Sequence, residues 1–342
     1  MKTIDRRVSV APMLDWTDRH CRYFLRGFSP AAVLYTEMIT AAAIVRGDQA
    51  RLLAFDPQEH PVALQLGGSE PADLARAARL GEQAGYDEIN LNCGCPSERV
   101  ASGAFGACLM REPRRVAECV AAMRAAVRVP VTVKMRIGVL SASPAAARRS
   151  VADFSEADFD ALCEFVSRVQ GSGCAVAIVH ARQAVLGGLS PKDNREVPPL
   201  RYEVVRRLKV LFPGLPVIVN GGLREPHTVL EALSWCDGVM LGREAYHRPY
   251  VLAELQQALY PGTSLPTREA LIERMEAYAQ RELAAGESLA AITRHMLGLY
   301  NGQQGAREFR RVLSEGARQP GVGVGLLRRA IPGSGVPSEG HR

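Results

Sequence analysis

Short apolar runs bounded by Gly, Pro or charge recur through the first 258 residues: Val8 to Ala11, Val33 to Tyr35, Val62 to Leu66, Glu88 to Asn92, Val131 to Met135, Ala175 to Val179, Val217 to Asn220 and Gly238 to Leu241. Between them lie Ala-, Leu- and Arg-rich segments such as Pro71 to Ala84, Arg114 to Val127, Asp158 to Gln170, Tyr202 to Leu211 and Pro226 to Leu233, whose apolar residues repeat at helical spacing. The alternation predicts an α/β fold in which eight strand-helix units close into a (β/α)8 TIM barrel, with the active site at the C-terminal ends of the strands. A doubly wound open sheet is the other architecture it allows.

After the eighth unit, Tyr260-Pro261-Gly262-Thr263-Ser264-Leu265-Pro266 breaks the pattern as a linker would, and helical sequence runs on from Thr267 to Ala317. The expected domains are therefore a catalytic barrel over 1-260, a small all-helical domain over 261-318, and a flexible Gly- and Pro-rich tail over 319-342. Residues 289-318 hold Arg294, Arg307, Arg310, Arg311 and Arg318 against Glu308 and Glu315, a surplus of three positive charges on a helical surface. Residues 139-156 make a long loop after the fifth strand, on the face where chemistry is expected.

Composition adds bounds. The chain has 342 residues, 47% hydrophobic and 23% charged, as a globular protein with a sizeable core has. Its net charge of +6 is compatible with a polyanionic partner. With no apolar signal core and no bilayer-length stretch, it is expected to be cytoplasmic, away from membranes, and a monomer needing no protein partner. Eight cysteines without paired spacing read as reduced, mostly buried hydrophobes.

In a barrel, the polar residues at strand ends are the candidates for chemistry. Here they are Met13 and Asp15, Glu37, Gln65, Asn92 and Cys95, Lys134 and Arg136, His180 and Arg182, Asn220-Gly221-Gly222, and Gly242-Arg243. Glycines directly after strands seven and eight suit a phosphate site, because backbone N–H groups must approach the oxygens closely; a tight turn is the plainer use. Lys134, in the apolar strand VPVTVKMRIG, needs a partner or a task. It can form a Schiff base, or neutralise a bound anionic cofactor such as a reduced flavin. His180 can bind a phosphate or a ring, or serve structure alone.

The stretch INLNCGCPSE, residues 89 to 98, carries two cysteines. Period-two alternation turns Ile89, Leu91 and Cys93 toward the helix layer and Asn90 and Asn92 toward the barrel interior. Gly94 breaks the strand and Pro96 stiffens the chain beyond it, so Cys95 stands on the rim as the usable thiol. One intervening residue is too few for a zinc clip, no complementary Cys or His pair is evident, and no metal site is expected. Nucleophile and general acid both remain open: the first wants a base nearby, while the second needs a proton that a thiol ordinarily keeps at neutral pH.

The motifs APMLDWTDRHCRYF (11-24), LYTEMIT (34-40), LQLGG (64-68), INLNCGCPSERV (89-100), GAFGACLM (103-110), VKMRIG (133-138), VHAR (179-182), GLSPKDNREVPPL (188-200), VNGG (219-222), GVMLGREAY (238-246), RHMLGL (294-299) and GAREFRR (305-311) together closely resemble the A subfamily of tRNA-dihydrouridine synthases. The resemblance covers residues 8 to 316, in the family's order. It implies an FMN-bearing barrel and a tRNA-binding helical domain that reduce uridines of the D-loop, around positions 20 and 20a. NADPH or NADH would reduce the flavin, hydride would pass from FMN to uracil C6, and Cys95 would protonate C5. Carried over position by position, FMN would be held by Pro12, Met13, Leu14, Gln65, Lys134, His180, Asn220, Gly221, Gly222, Gly242 and Arg243. With that resemblance the Schiff-base role of Lys134 falls away. Asn92, Arg182, Lys192, Arg195, Arg307, Arg310 and Arg311 would face the substrate. A stacked uracil would have to be extruded into the pocket, at a cost of a few kcal/mol that Lys and Arg contacts to the backbone offset. The alternatives are an FMN barrel reducing a free pyrimidine-like molecule, which the basic helical segment argues against, and a non-catalytic RNA-binding protein.

Overall fold

The structure, a computed structural model, describes residues 4-97, 105-141, 153-187 and 189-333. Ten strands are present among them: β1 Val8–Val10, β2 Val33–Thr40, β3 Val62–Gly67, β4 Glu88–Cys93, β5 Val131–Arg136, β6 Val139–Ser141, β7 Ala177–His180, β8 Ala184–Leu186, β9 Val217–Asn220 and β10 Gly238–Leu241. Eight of them close into a parallel barrel in the order β1-β10-β9-β7-β5-β4-β3-β2, so the expected (β/α)8 fold is the one formed. Helices Pro71–Ala84, Pro113–Ala126, Glu156–Gly171, Tyr202–Leu211 and Pro226–Leu233 fill the crossovers where the periodicity put them.

The helix boundaries reflect local chemistry. Pro71, Pro113 and Pro226 open their helices, where the missing N–H costs nothing. Ser155 and Asp158 form a reciprocal capping box at the start of Glu156–Gly171. Gly85, at φ 102°, ends Pro71–Ala84 in a left-handed turn that a side chain would resist.

Inside the barrel, Ala11, Val33, Tyr35, Ala63, Val176, Ile178, Ile218 and Met240 pack as one apolar cluster. A polar column stands beside it. Glu88, wholly buried, accepts from Arg6, from Tyr35 Oη at 2.6 Å and from Thr132 Oγ1 at 2.5 Å. Thr132 in turn accepts from Asn90 Nδ2 at 2.8 Å, and Gln65 Nε2 donates to Asn90 Oδ1 at 2.7 Å.

β6 and β8 form a separate two-stranded sheet, Val139 opposite Ala184 and Ser141 opposite Leu186. The expected loop 139-156 thus begins with three residues of strand; its residues 142-152 lie outside the described residues.

The domain division expected at residue 260 is not the one formed. One compact unit takes Met1–Leu14 with Val33–Gly242, and a second takes Asp15–Ala32 with Arg243–Arg342. The reason lies in side chains of the helix Arg19–Arg26, which have their partners far along the chain. Tyr23 stacks on Tyr278 with ring centroids 4.0 Å apart, and Arg19 pairs with Glu282 and Glu287. Asp18 caps that helix and accepts from Arg294 and His295 of the RHMLGL motif. Nor is the tail unstructured from 319: Gly325–Arg329 is helical and buries Leu326 and Leu327, the one pair of large apolar side chains in a stretch otherwise rich in Gly.

Candidate active site

The strand register places the candidates side by side. Asn92 is opposite Lys134, Arg136 opposite His180, and His180 opposite Asn220, so four neighbouring strands present polar side chains at one end of the barrel. Lys134 Nζ donates to Asn220 Oδ1 at 3.1 Å, and Asn220 Nδ2 donates to the Met240 carbonyl at 2.7 Å. Burial, with the Arg136 guanidinium behind it, pushes the Lys134 ammonium down to about 7. Burial again, then Arg136, Lys134, Arg182 and Arg195, holds the His180 imidazole well below its usual value. The charges that dominate this row are of one sign, and an anion is the ligand that would relieve them.

The glycines beside the row are packed against the protein's own side chains. Gly221 and Gly222 have φ of 110° and 70°, and a Cβ on Gly221 would lie 2.4 Å from His180 Cδ2. At Gly222 a Cβ would meet Leu200 Cδ1 at 2.3 Å. Gly242 is less confined: a Cβ there would be in ordinary van der Waals contact with Ala11 Cβ and Met13 Sδ, both at 3.9 Å. Pro12 and Met13 are half-buried and Leu14 is exposed. Arg243 opens the helix Arg243–His247 at the start of the second unit's main segment. The buried Lys134 and Arg136 at the end of β5 fit an anionic, phosphate-bearing cofactor such as FMN.

Asn92 and Gln65 hydrogen-bond to each other. Both are buried, and their amides are committed to one another and to the chain: Asn92 Nδ2 donates to Gln65 Oε1 at 2.8 Å, while Asn92 Oδ1 accepts the N–H groups of Gly94 and Cys95 at 3.1 and 3.0 Å. Asn92 therefore holds the turn that carries Cys95. Gly94 itself is pressed against β5, where a Cβ would come within 3.3 Å of the Met135 carbonyl carbon. The Cys95 carbonyl accepts from Ala107 N at 2.9 Å, and its thiol, half-buried, is 3.7 Å from Ser97 Oγ. Cys93 is wholly buried, and burial pushes its thiol well up, so it stays a neutral packing group. No cysteine is in a disulfide.

Two residues that sequence reasoning left unassigned organise this end of the barrel. Arg136, almost fully buried, donates from Nε to the Gly94 carbonyl at 3.2 Å and from Nη1 to the carbonyls of Asn194 at 2.9 Å and Gln183 at 3.4 Å. Asn194, in the middle of SPKDNR, accepts from Val185 N at 2.8 Å and donates to the Val185 and Leu189 carbonyls. Its burial leaves Lys192 and Arg195 exposed on either side. Arg182 donates to the Glu196 and Pro198 carbonyls. The alternation of β5 turns Arg136 to the interior with Thr132 and Lys134, a signal for its burial though not for its partners.

In the second unit Arg307, Arg310 and Arg311 are exposed on the helix Ala306–Gly316. Arg311 is paired with Glu308 and Glu315, one helical turn away on either side, so its charge is largely matched on its own helix.

The closed parallel barrel agrees with the findings of sequence comparison. The family model for dihydrouridine synthase (Dus) matches residues 9–330. The chain belongs to the dihydrouridine synthase family. It is 54% identical over 325 residues to the tRNA-dihydrouridine(20/20a) synthase of Xanthomonas axonopodis pv. citri, covering 95% of this chain and 93% of that protein. Proteins of the same name from Pseudomonas aeruginosa and Vibrio cholerae are 52% and 50% identical, over 91% and 95% of this chain and 90% and 95% of their own lengths.

Proposed function

We propose that this protein reduces the C5=C6 bond of uridine in the D-loop of tRNA, at positions 20 and 20a as its relatives' names specify, with FMN as resident cofactor and NADPH as reductant. The observation that carries the reading is the Cys95 thiol on a turn fixed by Asn92, beside the buried Lys134 and Arg136, whose charges no carboxylate among the described residues is found to stabilise.

Lys134, His180 and Asn220 would hold the flavin, with the backbone N–H groups of Gly221, Gly222 and Gly242 available to its phosphate and Met13 beside it. Bound FMN would supply the hydride that reaches uracil C6. Cys95 Sγ would give its proton to C5, and the turn's hydrogen bonds would keep the sulfur from retreating as the base enters. Asn92 acts through that turn. Lys134 would meet negative charge on the cofactor, which explains a lysine kept where burial disfavours its proton. Lys192, Arg195, Arg182, Arg307 and Arg310 would contact the RNA backbone, offsetting the few kcal/mol needed to unstack the target base. The protein would act as a cytoplasmic monomer.

Purified protein tests this directly. It is expected to bind FMN and to oxidise NADPH faster with unmodified tRNA than without. Stimulation by free uracil or uridine instead would favour a small-molecule reductase. Protein that takes up no flavin would overturn both.

A further inference from the structure

Resting on that reading, we propose that Arg136 is a positioning residue that couples the loop of Lys192 and Arg195 to the Cys95 turn, so that RNA seated on the two exposed cations steadies the thiol. Arg136 gathers carbonyls from three separate segments: Gly94 in the Cys95 turn, Gln183 before β8, and Asn194 between the two exposed cations. A planar fork with fixed donors can hold such an arrangement; a lysine ammonium, a single point on a flexible stem, cannot hold all three.

Both ends of the linkage are stiff. On the RNA-facing side, Asn194 ties its loop to Val185 and Leu189, Arg195 N donates to the Lys192 carbonyl at 3.0 Å, and Ser190 Oγ donates to Asp193 at 2.8 Å. On the thiol side, the N–H groups of Gly94 and Cys95 are taken by Asn92 and the Gly94 carbonyl by Arg136, so the peptide before the sulfur is gripped from both faces. A shift of the Asn194 carbonyl is therefore passed through one guanidinium to Gly94. The arrangement is costly to keep: burial pushes the Arg136 guanidinium down to about 9, with Arg182 and Arg195 adding to the effect and the Cys95 sulfur opposing it. Packing alone would be served by an apolar residue there.

The test is a double-mutant cycle in flavin-loaded enzyme with unmodified tRNA, pairing Arg136→Lys or Arg136→Met with a Lys192→Ala/Arg195→Ala variant. Flavin spectra and melting temperature confirm that each variant is folded. Saturating single-turnover rate and tRNA Kd are measured separately. In the parent, the double alanine change is expected to weaken binding and also to slow the saturating rate about tenfold. In either Arg136 variant it should weaken binding by the same factor but leave the already reduced rate unchanged. Effects on rate that multiply, or an Arg136→Lys enzyme as fast as the parent, would overturn the proposal. If Arg136→Met does not fold, Arg136→Lys alone decides it.

A second arm does not depend on turnover. Alkylation of Cys95 by iodoacetamide, read by peptide mass spectrometry, should change at least about threefold when a tRNA abasic at the target position, which puts no base against the thiol, is added to the parent, and should not respond in Arg136→Lys. An equal response in both contradicts the coupling. Failure of the catalytic reading would appear elsewhere, as Cys95→Ala retaining dihydrouridine formation.

Discussion

At the scale of single residues, the two cysteines of INLNCGCPSE divide by position. Cys95→Ala is expected to keep FMN and NADPH-dependent flavin reduction while losing dihydrouridine formation by about a hundredfold or more. Cys93→Ala should leave the rate near that of the parent and cost about 1–3 kcal/mol in urea unfolding, because it removes a wholly buried side chain. Equal loss of activity in two folded variants would contradict the division. Strand alternation alone separates the two, since period two decides which face a residue takes. It cannot show what Asn92 does on that face, because the partners of its amide depend on where the chain turns after Gly94. Lys134 is legible as a cation in an apolar strand, and its pH behaviour comes from the structure. Held at about 7 against an ordinary 10.5, it leaves the unfolded chain binding more protons between those values, so its penalty to the fold is full below pH 7 and is relieved as pH rises through the window. A bound anion favours the charged form and raises that value. FMN binding to the apoprotein at pH 8 should therefore take up about one proton, read by calorimetry in two buffers of different ionisation enthalpy, and Lys134→Met should abolish the uptake. Identical uptake in the variant would remove Lys134 from the cofactor.

At the scale of elements, the eight barrel strands are readable because each is an apolar run bounded by breakers. β6 and β8 are not, being three residues each and paired across more than forty positions of sequence. The polar column in the barrel is only half legible. Glu88, Asn90 and Asn92 share one face of β4 by alternation, but that Glu88 meets Arg6, Tyr35 and Thr132 is a matter of closure. A carboxylate with no exposure, paired to a mostly buried Arg6, is costly to break from one side. Glu88→Ala is expected to cost about 3–5 kcal/mol in chemical unfolding. A loss below about 1 kcal/mol would mean that the column contributes little to holding the barrel.

At the scale of the whole molecule, the linker at 260 and the second helical region are visible in the sequence, but the unit they belong to is not. The segment Asp15–Ala32 joins residues beyond 242 through Tyr23, Arg19 and Asp18, and a break in composition cannot reveal partners so distant. The basic surface of that unit also looks different once the charges are paired. Arg310→Ala should weaken tRNA binding and reduce the salt slope by about one, whereas Arg311→Ala, already matched by Glu308 and Glu315, should reduce it by less. Equal slopes for the two variants would contradict that distinction. The most direct measurement is mapping of dihydrouridine in tRNA from cells lacking this modification, after incubation with the flavin-loaded protein and NADPH. Dihydrouridine is expected at D-loop positions 20 and 20a with the parent enzyme and not with Cys95→Ala. Unmodified D-loops with the parent, or full modification with the variant, would contradict the proposed activity and the role of its thiol.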